Sequence, residues 1–165
     1  MAERADVVDT GHPYRRAGRI LVRAPAQLIF DILADPSRHP EFDGSGTVRG
    51  SAATAPQRLS QGATFGMSMR MGLPYAIKNT VEEFDEPGRI AWRHIGRHRW
   101  RYELRAIDEQ TTEVTETFDA STALFPPALR LMNAYENNQK AILITLVRLK
   151  ELAERAAGEL GSDPS

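Results

Sequence analysis

The amino-acid sequence predicts an α+β fold in which a curved antiparallel sheet of about seven strands wraps around a long C-terminal helix. Between Thr47 and Ser121, apolar and polar residues alternate in six short segments, a pattern typical of half-buried strands. The links that follow the second segment have three or four residues, whereas parallel neighbours need a crossover of about a dozen or more. The chain then continues with about 30 residues of helical periodicity. This helix is the one large element against which the sheet can bury its apolar face.

Strand and helix signals also precede this run. Ala17–Arg23 contains an isoleucine and a valine in alternation and is predicted as the first strand. Pro25 opens a short helix. The pair Asp35-Pro36 ends it, because the residue before a proline is disfavoured in the helical region. Residues 36–42 are predicted to form a second short helical turn.

Six further strands complete the predicted sheet, at Thr47–Ser51, Ala63–Met71, Tyr75–Phe84, Arg89–Ile95, Arg99–Ile107 and Thr112–Ala120. The long helix is predicted from about Pro127 to Ala157, with Gly158 as its stop signal. We therefore expect one domain over residues 16–157, with flexible termini at 1–15 and 158–165.

Composition and charge restrict the classes of function. The chain has 165 residues, a net charge of −1 and no cysteine. Without cysteine, disulfides, thiolate metal sites and a cysteine nucleophile are excluded, and a cytoplasmic location is expected. The longest nearly apolar stretch, Ala141–Val147, is far shorter than the roughly 20 residues that span a bilayer. We expect no integral membrane association.

No recognised cofactor or metal motif occurs in the sequence. There is no glycine-rich phosphate loop, nucleophile elbow or His-Glu-x-x-His pattern, so we expect neither a cofactor nor a metal ion. The segment from Arg93 to Arg101 is basic and contains a tryptophan. Arginines that alternate with Glu103 are nevertheless typical of a solvated sheet face, so nucleic acid is not expected as a partner.

Several segments carry a family resemblance: Ile20–Val22, Ala24–Ala26, Ile29–Asp31, Asp35–Phe42, Asn79, Ile90–Trp92, Thr112–Asp119, Asn138 and, in the last helix, Thr145, Leu146, Leu149 and Lys150. They resemble the START-like superfamily, also called SRPBCC or Bet v 1-like, and most closely its bacterial polyketide cyclase/dehydrase and lipid-transport branch. Phe42 stands where that family often has tryptophan. The resemblance covers roughly residues 16–155 and implies a helix-grip fold with a cavity between sheet and helix. Because the family includes carriers, cyclases, hormone receptors and regulators, it does not select one function.

The alternation of side chains across each strand predicts which residues face that cavity. Three methionines in alternation, Met67, Met69 and Met71, would form a flexible and polarizable wall. The apolar and aromatic candidates for ligand contact are Phe65, Met67, Met69, Ile77, Trp92, Trp100, Tyr102 and Ile142. Ordinary core packing would produce the same pattern.

Polar residues at inward positions are more informative, because burying a polar group without a partner costs about 1–3 kcal/mol. They are Asn79, His94, Glu116 and Asn138, together with the hydroxyl of Tyr135. Three of them have an alternative. Asn79 could bond the backbone near a bulge, and His94 stands at a strand end where exposure is expected. A register shift of one residue would turn Glu116 outward.

These residues favour the binding of a hydrophobic small molecule, such as a lipid, a polyketide or an aromatic metabolite. The alternative is a polyketide cyclase, aromatase or dehydratase in which Glu116 or His94 moves a proton. A carboxyl group in an apolar pocket has a raised pKa, which suits acid–base chemistry. A regulatory protein is a third possibility, for which the sequence offers no particular surface.

Overall fold

The computed structural model describes residues 4–51, 55–71, 73–94 and 96–161. Its strands form one antiparallel sheet of eight, β1 Asp6–Val8, β2 Arg15–Val22, β3 Val48–Ser51, β4 Thr64–Met71, β5 Leu73–Asp85, β6 Arg89–Arg93, β7 Arg99–Asp108 and β8 Thr111–Asp119. The seven strands predicted from the sequence are all present, most of them within two residues of the predicted bounds.

The strand order in the sheet is β1-β2-β8-β7-β6-β5-β4-β3. From β3 to β8 the sheet is the expected meander, because each strand pairs with the next in sequence. The first long strand, β2, joins the meander at β8, with Ile20 opposite Val114. Since side chains alternate, this register turns Ile20, Val114 and Leu104 toward the same apolar interior.

The helices are α1 Ala26–Leu33, α2 His39–Phe42, α3 Ala128–Leu131 and α4 Ala134–Gly161, with a 3₁₀ turn at Pro36–Arg38 before α2. Both short helical segments predicted after the first strand are therefore confirmed. No helix in the described part of the chain is long and apolar enough to cross a membrane.

The C-terminal helix differs from the prediction at its start. Instead of one helix from Pro127, a single turn, α3, is separated from α4 by Asn133, whose φ of 54° lies in the left-handed region. Asparagine is one of the few residues that adopts this conformation readily. The break turns Leu131 outward, where it is 92% exposed.

Regular structure also extends beyond the predicted domain limits. Strand β1 lies inside the N-terminal segment 1–15 that was expected to be flexible, and α4 continues to Gly161. The open edge of β2 explains β1, because that edge offers backbone donors and acceptors to which β1 pairs, with Val7 opposite Gly18.

Helix α4 lies across the concave face of the sheet, and glycines allow the close approach. A Cβ atom on Gly18 of β2 would lie 2.8 Å from Cγ2 of Ile142. A Cβ atom on Gly44 would lie 2.5 Å from the carbonyl oxygen of Ala141. Helix α4 buries Ile142, Leu146 and Leu149 completely. This arrangement confirms the predicted helix-grip fold.

Candidate functional site

A buried carboxyl group and a buried phenol form the centre of the candidate site. Glu116 of β8 lies opposite Tyr102 of β7 in the sheet register, so both side chains point into the interior. The Tyr102 hydroxyl donates a hydrogen bond of 2.9 Å to Oε1 of Glu116. Glu116 is 2% exposed and Tyr102 is 3% exposed. The second carboxyl oxygen, Oε2, is buried and has no hydrogen-bond partner among the described residues.

Burial determines the protonation of this pair. Desolvation raises the pKa of Glu116 well above its ordinary value, and the hydrogen bond from Tyr102 opposes the shift only in part. The negative charge of Asp43 raises the pKa of Glu116 further. Burial and the proximity of Glu116 likewise raise the pKa of Tyr102. Glu116 is therefore held toward its neutral form, in which Oε2 carries the proton and can donate it in a hydrogen bond.

Three elements enclose the carboxyl group. Gly18 of β2 pairs with Glu116 from the other side, and α4 crosses directly above that glycine at Ile142. The loop after α2 brings Asp43 close. It is fixed to α4 because the backbone N–H of Gly44 donates to Oγ1 of Thr145 at 2.8 Å. The interior position predicted for Glu116 follows from this register.

His39 belongs to the same interior, although the sequence analysis did not select it. Its ring is 5% exposed and stacks on Trp92 with 4.9 Å between centroids. Nε2 lies 2.9 Å from the carbonyl oxygen of Leu33. A carbonyl can only accept, so Nε2 carries the proton and Nδ1 remains an acceptor. Burial lowers the pKa of His39 to about 4, so the ring is neutral near neutral pH.

A sequence signal for His39 does exist. Phe42 follows it at position i+3 on the short helix α2, and residues at this spacing share one helix face. Phe42 is a buried apolar residue, so the histidine beside it also faces inward.

Asn79 forms a second polar position on the inner face. It lies on β5 opposite Phe65 of β4, is 1% exposed, and leaves its Oδ1 without a partner among the described residues. Two strands, β6 and β7, separate it from Glu116 on β8. Three strand spacings correspond to about 14 Å measured along the sheet. Asn79 and Glu116 are thus two separate hydrogen-bonding positions on one inner face.

His94 lies at the hairpin between β6 and β7, one residue after Arg93, which pairs with Thr80, so it is close to Asn79 in the sheet. The sequence favoured an exposed residue, but His94 is half-buried and stacks on His98 with ring centroids 4.6 Å apart. Desolvation, together with the charge of His98, lowers the pKa of His94 far below its ordinary value. The ring of His98 in turn packs against the ring of Phe118, with 5.5 Å between ring centroids. The two histidines form part of an aromatic cluster that closes this end of the sheet.

The helix contributes less polar chemistry than expected. The Tyr135 hydroxyl donates to the carbonyl oxygen of Pro126 at 2.9 Å, so this bond already uses its proton. Asn138 is half-buried one turn further on, and Ile142 is fully buried beneath the sheet. Ile142 reaches the surroundings of Glu116 through Gly18, and the Tyr135 ring contacts Phe118, two residues from Glu116 on β8, with 6.0 Å between ring centroids.

The apolar candidates fall into two groups by exposure. Phe65, Met67 and Trp92 are buried in the core. Met69, Ile77 and Trp100 occupy the same inner face but are half-buried and pack against that core. At these three residues the apolar interior approaches the solvent.

A groove of about 680 Å³ lies elsewhere, and its lining residues are Gln61, Val81, Glu82, Glu83, Arg93, Arg97, Arg99 and Thr122. Arg93 follows Trp92, and Arg99 precedes Trp100. Because both tryptophans face inward and side chains alternate along a strand, the two arginine side chains lie on the outer face. Glu82 forms ion pairs with both arginines: its Oε1 lies 3.3 Å from Nε of Arg93, and its Oε2 lies 3.4 Å from Nε of Arg99. This groove is charged and external, unlike the apolar cavity that the sequence predicts.

The described residues contain no group of three or more histidine, aspartate or glutamate side chains placed to hold a metal ion. The polar groups identified above on the inner face are the neutral carboxyl group of Glu116, the phenol of Tyr102, the imidazole of His39 and the amide of Asn79.

Comparison with known proteins gives relatives of two kinds. No family model matches the chain. An uncharacterized protein of Mycobacterium tuberculosis H37Rv, Rv0088, is 44% identical over 118 residues, which are 71% of this chain and 52% of that protein. The chain thus spans about half the length of the curated relatives that it matches.

Solved structures share the fold at low sequence identity. Protein Ms6760 of Mycobacterium smegmatis superimposes with a TM-score of 0.67 at 18% identity, over 93% of this chain and 99% of that one. The Polyketide_cyc-like protein Cgl2372 of Corynebacterium glutamicum gives a TM-score of 0.60 at 17% identity, over 93% and 100% of the two chains. Together with the sheet order and the position of α4, these likenesses show that the chain has the helix-grip fold.

Proposed function

We propose that the protein binds an apolar small molecule bearing a neutral hydrogen-bonding group in the interior between the sheet and α4. A lipid, a polyketide or an aromatic metabolite with a hydroxyl or carbonyl group fits this description. Entry is proposed at the half-buried residues Met69, Ile77 and Trp100, where the apolar inner face approaches the solvent.

The unpartnered Oε2 of Glu116 is the observation that carries the proposal. A buried polar atom without a partner costs about 1–3 kcal/mol, so a ligand group that pairs with it gains that much differential binding. The raised pKa of Glu116 means that this atom presents a proton. A ligand hydroxyl or carbonyl oxygen can accept it, and a hydroxyl can also donate to Oδ1 of Asn79 if the ligand reaches β5.

Matched aromatic probes test this proposal, because 2-naphthol, 2-naphthoate and naphthalene share one ring system and differ only in the polar group. Fluorescence titration is expected to give saturable binding, tightest for 2-naphthol. In Glu116→Leu, the ratio of the affinities for 2-naphthol and naphthalene is expected to fall at least about tenfold, because one buried hydrogen bond to the hydroxyl is lost. Glu116→Gln should retain it, because the amide can still accept from Tyr102 and still present a donor.

Glu113→Gln is the control, since Glu113 lies on the outer face of the same strand and pairs with Arg105 at 3.2 Å. It should bind all three probes as the wild type does. Absence of saturable binding by every probe, or an unchanged preference in Glu116→Leu, would overturn the proposal.

A cyclase or dehydratase activity is the second candidate, and the neutral Glu116 next to Tyr102 favours it specifically. A carboxyl group with a raised pKa can give a proton to a bound carbonyl oxygen, and its conjugate base can remove one from the adjacent carbon. In deuterium oxide the wild type would then exchange the methyl protons of 2-acetylnaphthalene, a step that removes and returns one proton.

The two candidates separate at Glu116→Gln. A carrier binds the aryl ketone and leaves its protons unexchanged in both proteins. An acid–base enzyme catalyses the exchange in the wild type and loses it in Glu116→Gln while binding persists. Mass spectrometry of the recovered ketone distinguishes these outcomes.

A further inference from the structure

An exposed apolar segment precedes the long helix and takes no part in the interior site. Along residues 124–132, four large side chains are exposed: Leu124 at 58%, Phe125 at 76%, Leu131 at 92% and Met132 at 70%. The segment includes the single turn α3, which is about 6 Å long. Backbone hydrogen bonds from Ala128 to Phe125, from Leu129 to Pro126 and from Arg130 to Pro127 fold the residues between the two apolar pairs into consecutive turns. The two pairs therefore lie at the ends of one short, compact segment, and we call the four residues the patch.

Hydrogen bonds fix this segment in place. The backbone N–H of Leu124 donates to the carbonyl oxygen of Gly96 at 3.3 Å, which ties it to the hairpin between β6 and β7. The Tyr135 hydroxyl holds the carbonyl of Pro126 at 2.9 Å. The apolar side chains are thus presented on a preformed support, so little ordering is needed when the patch meets a partner.

Three arginines surround the patch. Arg130 lies within the segment 124–132, and its guanidinium carbon is 5.5 Å from the ring centroid of Tyr14. The guanidinium carbon of Arg16 is 5.2 Å from the ring centroid of Tyr135. Arg97 is next to Gly96, and its carbonyl oxygen accepts from Oγ1 of Thr122 at 2.8 Å. None of the three has a carboxylate partner in the part of the chain that the structure describes. Between positions 121 and 140 the sequence contains one acidic residue, Glu136.

We propose that this segment docks on an anionic lipid surface, with the side chains of Leu124, Phe125, Leu131 and Met132 inserted at the boundary between headgroups and acyl chains. Exposed apolar residues inside a basic rim match the two attractions that hold peripheral proteins to such surfaces. A second copy of this chain fits less well, because a symmetric contact would bring the basic rims of two patches together. Docking here rests on the surface alone and does not require the proposed interior site.

Cosedimentation of the full chain with vesicles tests the proposal. Binding is expected to phosphatidylcholine vesicles that contain phosphatidylglycerol, and to be much weaker with phosphatidylcholine alone. The double substitution Phe125→Ser and Leu131→Ser should lower the partition coefficient at least about tenfold, because two exposed anchors are lost. Arg97→Gln and Arg130→Gln should each lower it about fivefold on the anionic vesicles.

Exposed apolar residues outside the patch supply matched controls. Leu73 is 79% exposed and Leu160 is 74% exposed. Leu73→Ser and Leu160→Ser should bind vesicles as the wild type does, and circular dichroism should show all variants folded. No recovery with anionic vesicles, or equal losses in patch and control variants, would overturn the proposal. A dimer in light scattering that Phe125→Ser abolishes would assign the patch to a second copy and overturn it as well.

Discussion

At the scale of single residues, the Glu116 carboxyl group combines two conditions that rarely occur together in a stable interior. It is almost fully buried, and one of its oxygens has no protein partner in the described structure. Native proteins satisfy nearly all their buried polar atoms, so such an atom requires an explanation. A ligand that completes the hydrogen bonding accounts for it, and protonation reduces its cost while the site is empty.

Direct titration of Glu116 is the first prediction. Carbon NMR of its side-chain carboxyl is expected to give a midpoint well above the ordinary value of 4.5, because burial disfavours the charged form. Tyr102→Phe should raise the midpoint further, since it removes the hydrogen bond that lowers the pKa of Glu116.

Glu83 serves as an internal control for this titration. Its carboxyl group lies on the outer face and accepts two hydrogen bonds of 2.8 Å from Arg101, which lowers its pKa. The two glutamates should therefore titrate on opposite sides of 4.5. A Glu116 midpoint at or below that value would remove the case for Glu116 as a proton donor.

The second prediction concerns His39 and acid stability. The folded pKa is lowered from 6.5 to about 4, so the unfolded chain takes up a proton that the folded state excludes. The contribution of His39 to the free energy of unfolding is complete above about pH 6.5. As the pH falls from there toward the folded pKa of about 4, this contribution decreases by about 1.4 kcal/mol for each pH unit. Between about pH 7 and about pH 5, the wild type should lose about 2 kcal/mol more than His39→Gln does.

Urea unfolding at the two pH values measures this difference. Glu116 has the opposite sign: its contribution is full below its unfolded pKa and is lost as pH rises toward its raised folded pKa. Because Glu116 is common to both proteins, it cancels in the comparison. Equal losses in wild type and His39→Gln would show that the ring is not desolvated as described.

Single residues also show what a sequence can and cannot reveal. Alternation along β8 predicted that Glu116 faces inward, and the observed register places it there. His39 was missed because its one signal, the i, i+3 spacing to Phe42 on a four-residue helix, is a single pair and not a repeated pattern. The hydrogen bond from the Tyr135 hydroxyl to the carbonyl oxygen of Pro126 could not be predicted from the sequence, because it depends on how the segment before α4 folds back.

At the scale of elements, the contact between β2 and α4 depends on a missing side chain. The third prediction is that Gly18→Ala lowers the free energy of unfolding by about 1–3 kcal/mol, the usual effect of overpacking. The added methyl group would lie 2.8 Å from Ile142 and 3.2 Å from Leu146. Gly50→Ala is the control, because a Cβ atom on that strand glycine meets nothing within 4 Å.

Urea unfolding of the two variants decides this point. A loss in Gly18→Ala as small as that in Gly50→Ala would mean that α4 can move away from the sheet without penalty. The close approach at Gly18 would then contribute nothing to the enclosure of Glu116.

Elements with a strong periodic signal were predicted well, but the start of the long C-terminal helix was not. The meander from β3 to β8 was confirmed because alternation and short links both constrain it. The break between α3 and α4 was missed because one left-handed residue, Asn133, interrupts the helix without changing the apolar periodicity around it. That break is also what exposes Leu131.

At the scale of the whole molecule, ligand binding and stability are linked. The fourth prediction is that 2-naphthol at about one hundred times its dissociation constant adds about 2.7 kcal/mol to the free energy of unfolding. Met69→Trp should abolish most of this gain, because the larger ring would fill the proposed entrance at this half-buried residue. Leu160→Trp changes an exposed residue and should retain the gain.

Chemical unfolding with and without the probe measures the effect. If Met69→Trp and Leu160→Trp retain the same stabilisation, the probe enters elsewhere, and the entrance assigned to Met69, Ile77 and Trp100 is wrong.

The pairing of β2 with β8 has a consequence for how the molecule acquires its structure. Arg15 pairs with Asp119, and Val22 pairs with Thr112, so the sheet joins segments that lie about 90 to 104 residues apart in the sequence. Such non-local pairing carries a large loop-closure entropy before any contact compensates for it. During synthesis, β2 has no partner on this side until β8 has left the ribosome. Refolding should therefore be slow for a chain of this size, with the union of β2 and β8 as its late step.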